Sequence, residues 1–368
     1  MRKKKIAFFL QNLSGGGAEK SVVNLSNYLV DDGIDIDIVL VDKANAAYLD
    51  ELNPNINIID LKKNRSLKSI FEVKRYIETN NPEVIMSSVT HINLVLLIVK
   101  VFTKTANTKF VINQVNHLTS IVKYALKINN LSQFFTRSGV KFIVRIYNYA
   151  DGCISMSKGV EMDLKNHGLN IKSQYIYNPI FSEEIVNLSK TQLSKSDKKV
   201  FIAIGRMVPQ KNFSLLLDAF YLVNKEINSE LIILGDGPLL NVLTKKINDL
   251  NLNESVILKG FVSNPFKYIK VADVFVLSSL WEGFGNVIVE ALSLGTQVVS
   301  TNCNSGPAEI LENGKYGFIS STMHKFELAR LMIEAINNPI DRDLIIERGR
   351  YFSIRNSSIE YKDFLLNY

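Results

Sequence analysis

Cysteine is scarce in this chain. Only Cys153 and Cys303 occur, one in each half. Two thiols so far apart speak against a disulfide framework and against a cysteine-based metal site, and they fit a reducing compartment. Long apolar runs are missing as well. The longest, Leu94 to Val99, falls far short of the ~20 residues that a spanning helix requires. The start, Met1-Arg2-Lys3-Lys4-Lys5, carries the charge of a signal peptide, but the apolar run behind it, Ile6 to Leu10, leads at once into Gln11-Asn12. A secretory core needs more. The expectation is a soluble cytoplasmic protein. No Gly-x-Gly-x-x-Gly follows the first strand, which speaks against a dehydrogenase.

Acid is absent from one long stretch. Between Val84 and Ala150 there is no Asp or Glu, while Lys100, Lys104, Lys109, Lys123, Lys127, Arg137, Lys141 and Arg145 all fall there. Tyr124, Phe134, Phe135, Phe142 and Tyr147 are interleaved with them. Such a surface suits nucleic acid or an anionic membrane face, and it is equally what solvated lysines around an ordinary core look like. No nucleic-acid motif is present, so the membrane is preferred and no nucleic-acid partner is expected.

What is present is globular. The 368 residues are 46% apolar and 21% charged, with a formal charge of +7. That length suits two domains. Strand-like Lys5 to Leu10, helical Ala18 to Val30 and strand-like Ile36 to Val41 open the chain. Helical Leu67 to Thr79 and strands at Val84 to Met86 and Lys109 to Ile112 continue it. The pattern restarts at Val200 to Ile204 and again alternates strand with helix. Sheets should therefore be mainly parallel, in an α/β fold of two facing Rossmann-like domains with a cleft between them. The boundaries read as 1–180 for the first domain, 181–199 for a polar linker and 200–350 for the second. Residues 351–368 read as a helical segment packing back on the first.

The run Glu282-Gly283-Phe284-Gly285-Asn286-Val287-Ile288-Val289-Glu290 is the most informative. Buried-looking Val274 to Leu277 precedes it. The glycines let backbone approach a ligand, and a helix starting near Asn286 aims its N-terminal amides at the turn. Asn286 and Glu290, four apart, share a face. Glu282 should stay at the mouth of the loop. Taken alone the two carboxylates also read as solvated decoration; the glycines and the buried strand favour an anion site that also meets hydroxyls, as a sugar nucleotide needs. Ahead of it, Gly205-Arg206-Met207-Val208-Pro209-Gln210-Lys211-Asn212 follows a buried strand. Arg206 and Lys211 at that strand's carboxyl end could hold a diphosphate.

Gly205-Arg206…Lys211-Asn212, Gly235-Asp236-Gly237-Pro238, Gly260-Phe261…Asn264 and Glu282-x7-Glu290 occur in this order, with Ser14-Gly15-Gly16-Gly17-Ala18-Glu19 after strand one. Together they resemble the retaining glycosyltransferases of family 4, with the GT-B fold. The resemblance covers nearly the whole chain. Asn304-Ser305-Gly306-Pro307-Ala308-Glu309-Ile310-Leu311 is similar to a bacterial subset that builds surface polysaccharides and lipid-linked oligosaccharides.

The resemblance implies a donor-binding second domain and an acceptor-binding first one. Arg206 and Lys211 would bind the donor diphosphate, Glu290 the ribose hydroxyls and Glu282 the transferred sugar. Backbone amides of Gly283, Phe284, Gly285 and Asn286 would meet phosphate or sugar. The loop Gly15, Gly16, Gly17 would close over the diphosphate, and the base would lie near Gly260, Phe261 and Val262. A catalytic His of many relatives corresponds to His117 or, offset by one, to Asn116. Neither a cofactor nor a metal is expected, because Arg206, Lys211 and the helix N-terminus take the leaving-group charge. The donor is expected to carry uridine, with guanosine open. The acceptor is expected to be lipid-linked or a glycan. A nucleotide-sugar epimerase and a two-lobed sugar-binding protein are the competing readings.

Overall fold

A computed structural model describes residues 4–44, 46–104, 107–125, 133–190 and 197–367. The chain divides into two units, Met1–Pro179 with Ile354–Tyr368, and Ile180–Ser353.

The first unit runs β1 (Lys5–Leu10), α1 (Gly17–Asp31), β2 (Asp35–Leu40), β3 (Asn57–Asp60), α2 (Ile70–Asn80), β4 (Val84–Ser88) and α3 (Thr90–Phe102). It continues with β5 (Lys109–Gln114), α4 (Leu118–Ala125), α5 (Gln133–Tyr147), β6 (Gly152–Ser155), α6 (Lys158–Asn166) and β7 (Ser173–Tyr175). The strands form one parallel sheet in the order β3-β2-β1-β4-β5-β6-β7. Alternation along β1 explains why both faces are covered: Ile6, Phe8 and Leu10 join one core cluster, while Ala7 and Phe9 join another on the opposite face. Strand order reverses between β1 and β4, so the loop after β1 that carries Gly15 to Gly17 lies at a topological switch point.

The second unit runs α7 (Glu183–Leu188), β8 (Lys199–Ile204), α8 (Phe213–Glu226), β9 (Ser229–Leu234), α9 (Leu240–Asp249), β10 (Val256–Gly260) and α10 (Phe266–Val271). There follow β11 (Val274–Leu277), α11 (Asn286–Ser293), β12 (Gln297–Thr301), α12 (Pro307–Ile310), β13 (Phe318–Ser320), α13 (Lys325–Asn337) and α14 (Arg342–Tyr351). Its parallel sheet has the order β10-β9-β8-β11-β12-β13. Here the reversal falls between β8 and β11, so the loops after these two strands open side by side. The last helix, α15 (Ile354–Leu366), belongs to the first unit, and its Tyr361, Phe364 and Leu365 enter the core cluster beside α1.

One expectation needs correcting. The stretch 181–199 is not simply a linker, because Glu183–Leu188 is a helix of the second unit. Ser182 precedes it and Glu183 and Glu184 fill its first turn, the composition of a helix start, and Asn264 Nδ2 donates to the Leu188 carbonyl at 3.0 Å. Residues 191–196 lie outside the described residues.

Candidate active site

The site of the second unit is built from its two switch-point loops. Gly205 follows β8, and a Cβ there would lie 3.0 Å from Lys211 Cε. The absence of a side chain lets the lysine stem cross the glycine. Gln210 ties this loop to the next: its carbonyl accepts from Leu280 N at 2.8 Å and its Nε2 donates to the Trp281 carbonyl at 2.9 Å. Ser278 Oγ donates to the Lys211 carbonyl at 2.8 Å. Lys211 is thereby aimed across the sheet edge, where Nζ meets Glu282 Oε1 at 2.6 Å.

Glu282 is buried, at 6% exposure, rather than standing at the mouth of the loop. The second donor to its Oε1 is Ser279 Oγ at 2.6 Å, and Thr301 Oγ1 fixes Ser279 through its carbonyl at 2.7 Å. A carboxylate so enclosed needs its counter-charge, since burying an unpaired ion is expensive. Cys303 is buried beside the pair; burial first, then the Glu282 carboxylate, push its thiol pKa well above the usual value. From the other side Ser305 Oγ donates to the Glu282 carbonyl at 2.8 Å. Phe284 is buried and packs edge-on against Phe352 at 5.3 Å between centroids. Gly285, at φ +104°, begins α11, whose positive end opens on this turn. Asn286 and Glu290 are half-buried on its first turns.

The structure thus brings Lys211, Glu282, Gly283, Phe284, Gly285 and Asn286 together. Arg206 is exposed directly after β8 and makes no side-chain hydrogen bond or ion pair among the described residues. Gly260 sits at φ +71° with its carbonyl accepting from Gly235 N at 2.7 Å, Phe261 is 73% exposed and Val262 is half-buried. An exposed ring and a pinned backbone at this edge can meet a flat base. Ser279 stood in no sequence motif, and Gln210, Ser305 and Cys303 were visible in sequence without these roles, since single loop residues carry no periodicity.

In the first unit, Asn12 Oδ1 accepts from Ser14 Oγ at 3.0 Å and so shapes the glycine loop. The Glu19 carboxylate folds back over Gly16 at the start of α1, and burial raises its pKa. His117 lies just after β5. Its Nδ1 accepts from Ser120 N at 3.3 Å, which leaves Nε2 to carry the proton and donate. Burial lowers the His117 pKa against the opposing pull of Asp163, whose Oδ2 lies 3.6 Å from Nδ1. Asp163 also accepts from Thr119 N and Oγ1. Asn116 is half-buried beside it, its carbonyl accepting from Gln114 Nε2. Val89, at the carboxyl end of β4, has φ +78°, an outlier for a β-branched residue and a sign of strain at this edge.

Two Asp-x-Asp tripeptides exist, and both are engaged elsewhere. Asp37 in β2 is buried among Tyr76, Lys5 and Asn57, and Asp341 caps α14 by accepting from Leu344 N. Among the described residues there is no group of three or more His, Cys, Asp or Glu that could hold a metal ion.

Two parallel α/β units, the second gathering a cation, carboxylates and a helix N-terminus at its switch point, define a protein of the GT-B fold. Comparison with known proteins agrees along the chain. The model of the glycosyltransferase family 4 domain matches residues 15–184, and that of glycosyl transferases group 1 matches 185–352. The chain belongs to the family 4 glycosyltransferases. It is 34% identical to an uncharacterised glycosyltransferase of Methanocaldococcus jannaschii, over 67% of this chain and 62% of that one. It is 28% identical, over 86% of each, to the Campylobacter jejuni N-acetylgalactosamine-N,N'-diacetylbacillosaminyl-diphospho-undecaprenol 4-alpha-N-acetylgalactosaminyltransferase. Among solved structures, Anabaena HepE in complex with UDP and glucose superposes with a TM-score of 0.80 at 20% identity, covering 99% of this chain and 100% of that one.

Proposed function

We propose that this glycosyltransferase moves a hexose or N-acetylhexosamine from a UDP-sugar to a lipid-linked or polysaccharide acceptor, with retention and without a metal. The observation that carries the reading is the Lys211–Glu282 pair set beside the N-terminus of α11, with Glu290 one turn in. Lys211, Arg206 and the helix end offset the charge that develops on the leaving diphosphate. Glu282 accepts from the transferred sugar, and Glu290 from the ribose hydroxyls. The bond from the anomeric carbon to the β-phosphate oxygen breaks. The acceptor oxygen bonds to that carbon from the same face, and its proton passes to the departing phosphate. By the family resemblance, His117 would donate to the sugar. Polymer and undecaprenol-diphosphate acceptors appear in the names of relatives, including a Staphylococcus aureus poly(ribitol-phosphate) alpha-N-acetylglucosaminyltransferase, and they support the acceptor class. The decisive experiment is a screen of UDP-glucose, UDP-galactose, UDP-GlcNAc and UDP-GalNAc, with GDP-sugars as comparison, scored by nucleoside diphosphate release and by labelled product. Isomerised donor, or bare retention of it, would sink the transfer reading.

Glu290→Ala is expected to weaken UDP binding by ~10-fold or more, as for loss of hydrogen bonds to a charged group. Calorimetry with UDP checks this, and wild-type affinity would remove the ribose role. Activity is expected to survive a chelator, because Lys211 and Arg206 would offset the leaving-group charge that a metal otherwise meets. Loss on chelation with recovery in manganese or magnesium would overturn that design.

The acid-free stretch supports a membrane face. On α5, Val140, Val144 and Tyr147 are buried, while Phe135, Arg137, Lys141, Phe142 and Arg145 are exposed. Lys123 and Tyr124 at the end of α4 are exposed too. Lys100 is instead paired with Asp151, and Lys127 and the Phe134 side chain lie outside the described residues. No helix among the described residues is long and apolar enough to cross a bilayer. Reversible attachment to an anionic leaflet is expected, at ~1 kcal/mol per well-placed cation. Lys123, Arg137, Lys141 and Arg145 changed together to Gln should abolish pelleting with anionic vesicles, which high salt should also release. Equal pelleting of both proteins would leave these residues a solvated face.

A further inference from the structure

The donor turn is held from behind by a half-buried arginine that no part of the proposed chemistry uses. Arg348 sits on α14, its side chain 10% exposed. Its Nε donates to the Ile310 carbonyl at 2.7 Å and its Nη2 to the Glu309 carbonyl at 2.8 Å. Nη1 pairs with Glu312 Oε1 at 2.9 Å. The guanidinium plane is packed among three rings, with the centroids of Phe352, Tyr351 and Tyr316 at 4.8, 5.0 and 5.2 Å. One planar cation thus grips the last carbonyls of α12, a helix only one turn long that could not hold its own position.

The opposite end of α12 touches the donor turn. Gly306 precedes it at φ +88°, and a Cβ there would overlap the Phe284 carbonyl oxygen. Ser305 Oγ donates to the Glu282 carbonyl, and Trp281 pairs with Asn304 in an isolated bridge. The Phe352 ring that covers Arg348 also packs on Phe284 at 5.3 Å. Two routes therefore run from Arg348 to residues 282–284, one through α12 and Gly306, the other through Phe352.

We propose that Arg348 is a positioning residue of the donor site, setting the sugar-facing part of the turn, Glu282 to Phe284, by anchoring α12 and Phe352. This rests on the donor-site reading above. Residues 304–306 contact the Glu282 and Phe284 backbone. Glu290 lies one turn into α11. The sugar end should move when Arg348 is changed while the ribose end stays.

Arg348→Lys keeps the charge but cannot make the three-point grip. The experiment compares wild type with Arg348→Lys below the unfolding temperature of both. It reads UDP affinity by calorimetry and kcat with whichever of the four UDP-sugars is turned over fastest. The expected result is a kcat at least 10-fold lower with UDP affinity within twofold of wild type. A kcat within twofold of wild type overturns the proposal. So does an equal fall in kcat and in the fraction of protein binding UDP, which marks a purely structural role. Arg348→Met, which fills the same space without hydrogen bonds, should behave like Arg348→Lys; full activity in it would also overturn the proposal. Glu290→Ala is measured alongside. If it leaves UDP affinity intact, the donor-site reading fails and this inference with it; if it weakens UDP while Arg348→Lys is fully active, only the positioning role fails.

Discussion

Lys211→Ala is expected to slow transfer by ~10²-fold or more, as for loss of a group that stabilises developing charge. Arg206→Ala should do the same from the exposed side of the loop. The two differ in what they leave behind. Arg206 has no side-chain partner among the described residues, so its removal should leave the folded protein unchanged. Lys211 removal strips Glu282 of its counter-charge and leaves its carboxylate, among the described residues, only the Ser279 hydroxyl. Lys211→Ala combined with Glu282→Ala should therefore cost less than the sum of the two, because each single change already breaks the same pair. Steady-state release of nucleoside diphosphate measures all four proteins. Unaltered turnover with Lys211→Ala would remove the diphosphate assignment.

Phe284→Ala is expected to destabilise the second unit by ~3–5 kcal/mol, the range for deleting a buried aromatic ring. The ring is 2% exposed and rests on Phe352, so the space it leaves lies inside packed protein. With a urea dependence of ~2 kcal/mol per molar, the unfolding midpoint of that unit should fall by ~2 M. A shift under ~0.5 M would show that the ring contributes little packing.

The parts legible in sequence share a physical cause. Each paired a periodic buried strand with a glycine loop and a helix start, as Val274 to Leu277 does before Glu282 and as Lys5 to Leu10 does before Gly15 to Gly17. What sequence hid lacked one of these marks. Thr90–Phe102 is apolar on most sides, so its helical period is blurred, and only its inner run stood out. Gly152–Ser155 is four residues long and begins with glycine, too brief to show alternation. Asn57–Asp60 is an edge strand with an exposed first residue. At the site, the helix start and both carboxylates were readable, but their state was not. Burial of Glu282 depends on Lys211, Ser279 and Ser305, which reach it from three separate loops. The start of α7 was marked by Ser182, Glu183 and Glu184, and overall polarity drew attention away from it.

The placement of α15 has a consequence for how the molecule comes off the ribosome. The second unit is continuous in sequence, from Ile180 to Ser353, whereas the first draws Tyr361, Phe364 and Leu365 from beyond it. Synthesis at ~5–20 residues per second completes the sequence of the second unit before that of the first unit's last core helix. During that interval the surface of α1 that α15 later covers is open to chaperones or to the wrong partner. The earlier-born half is thus the later one to close, and a released chain truncated before Ile354 should expose apolar surface on its first unit.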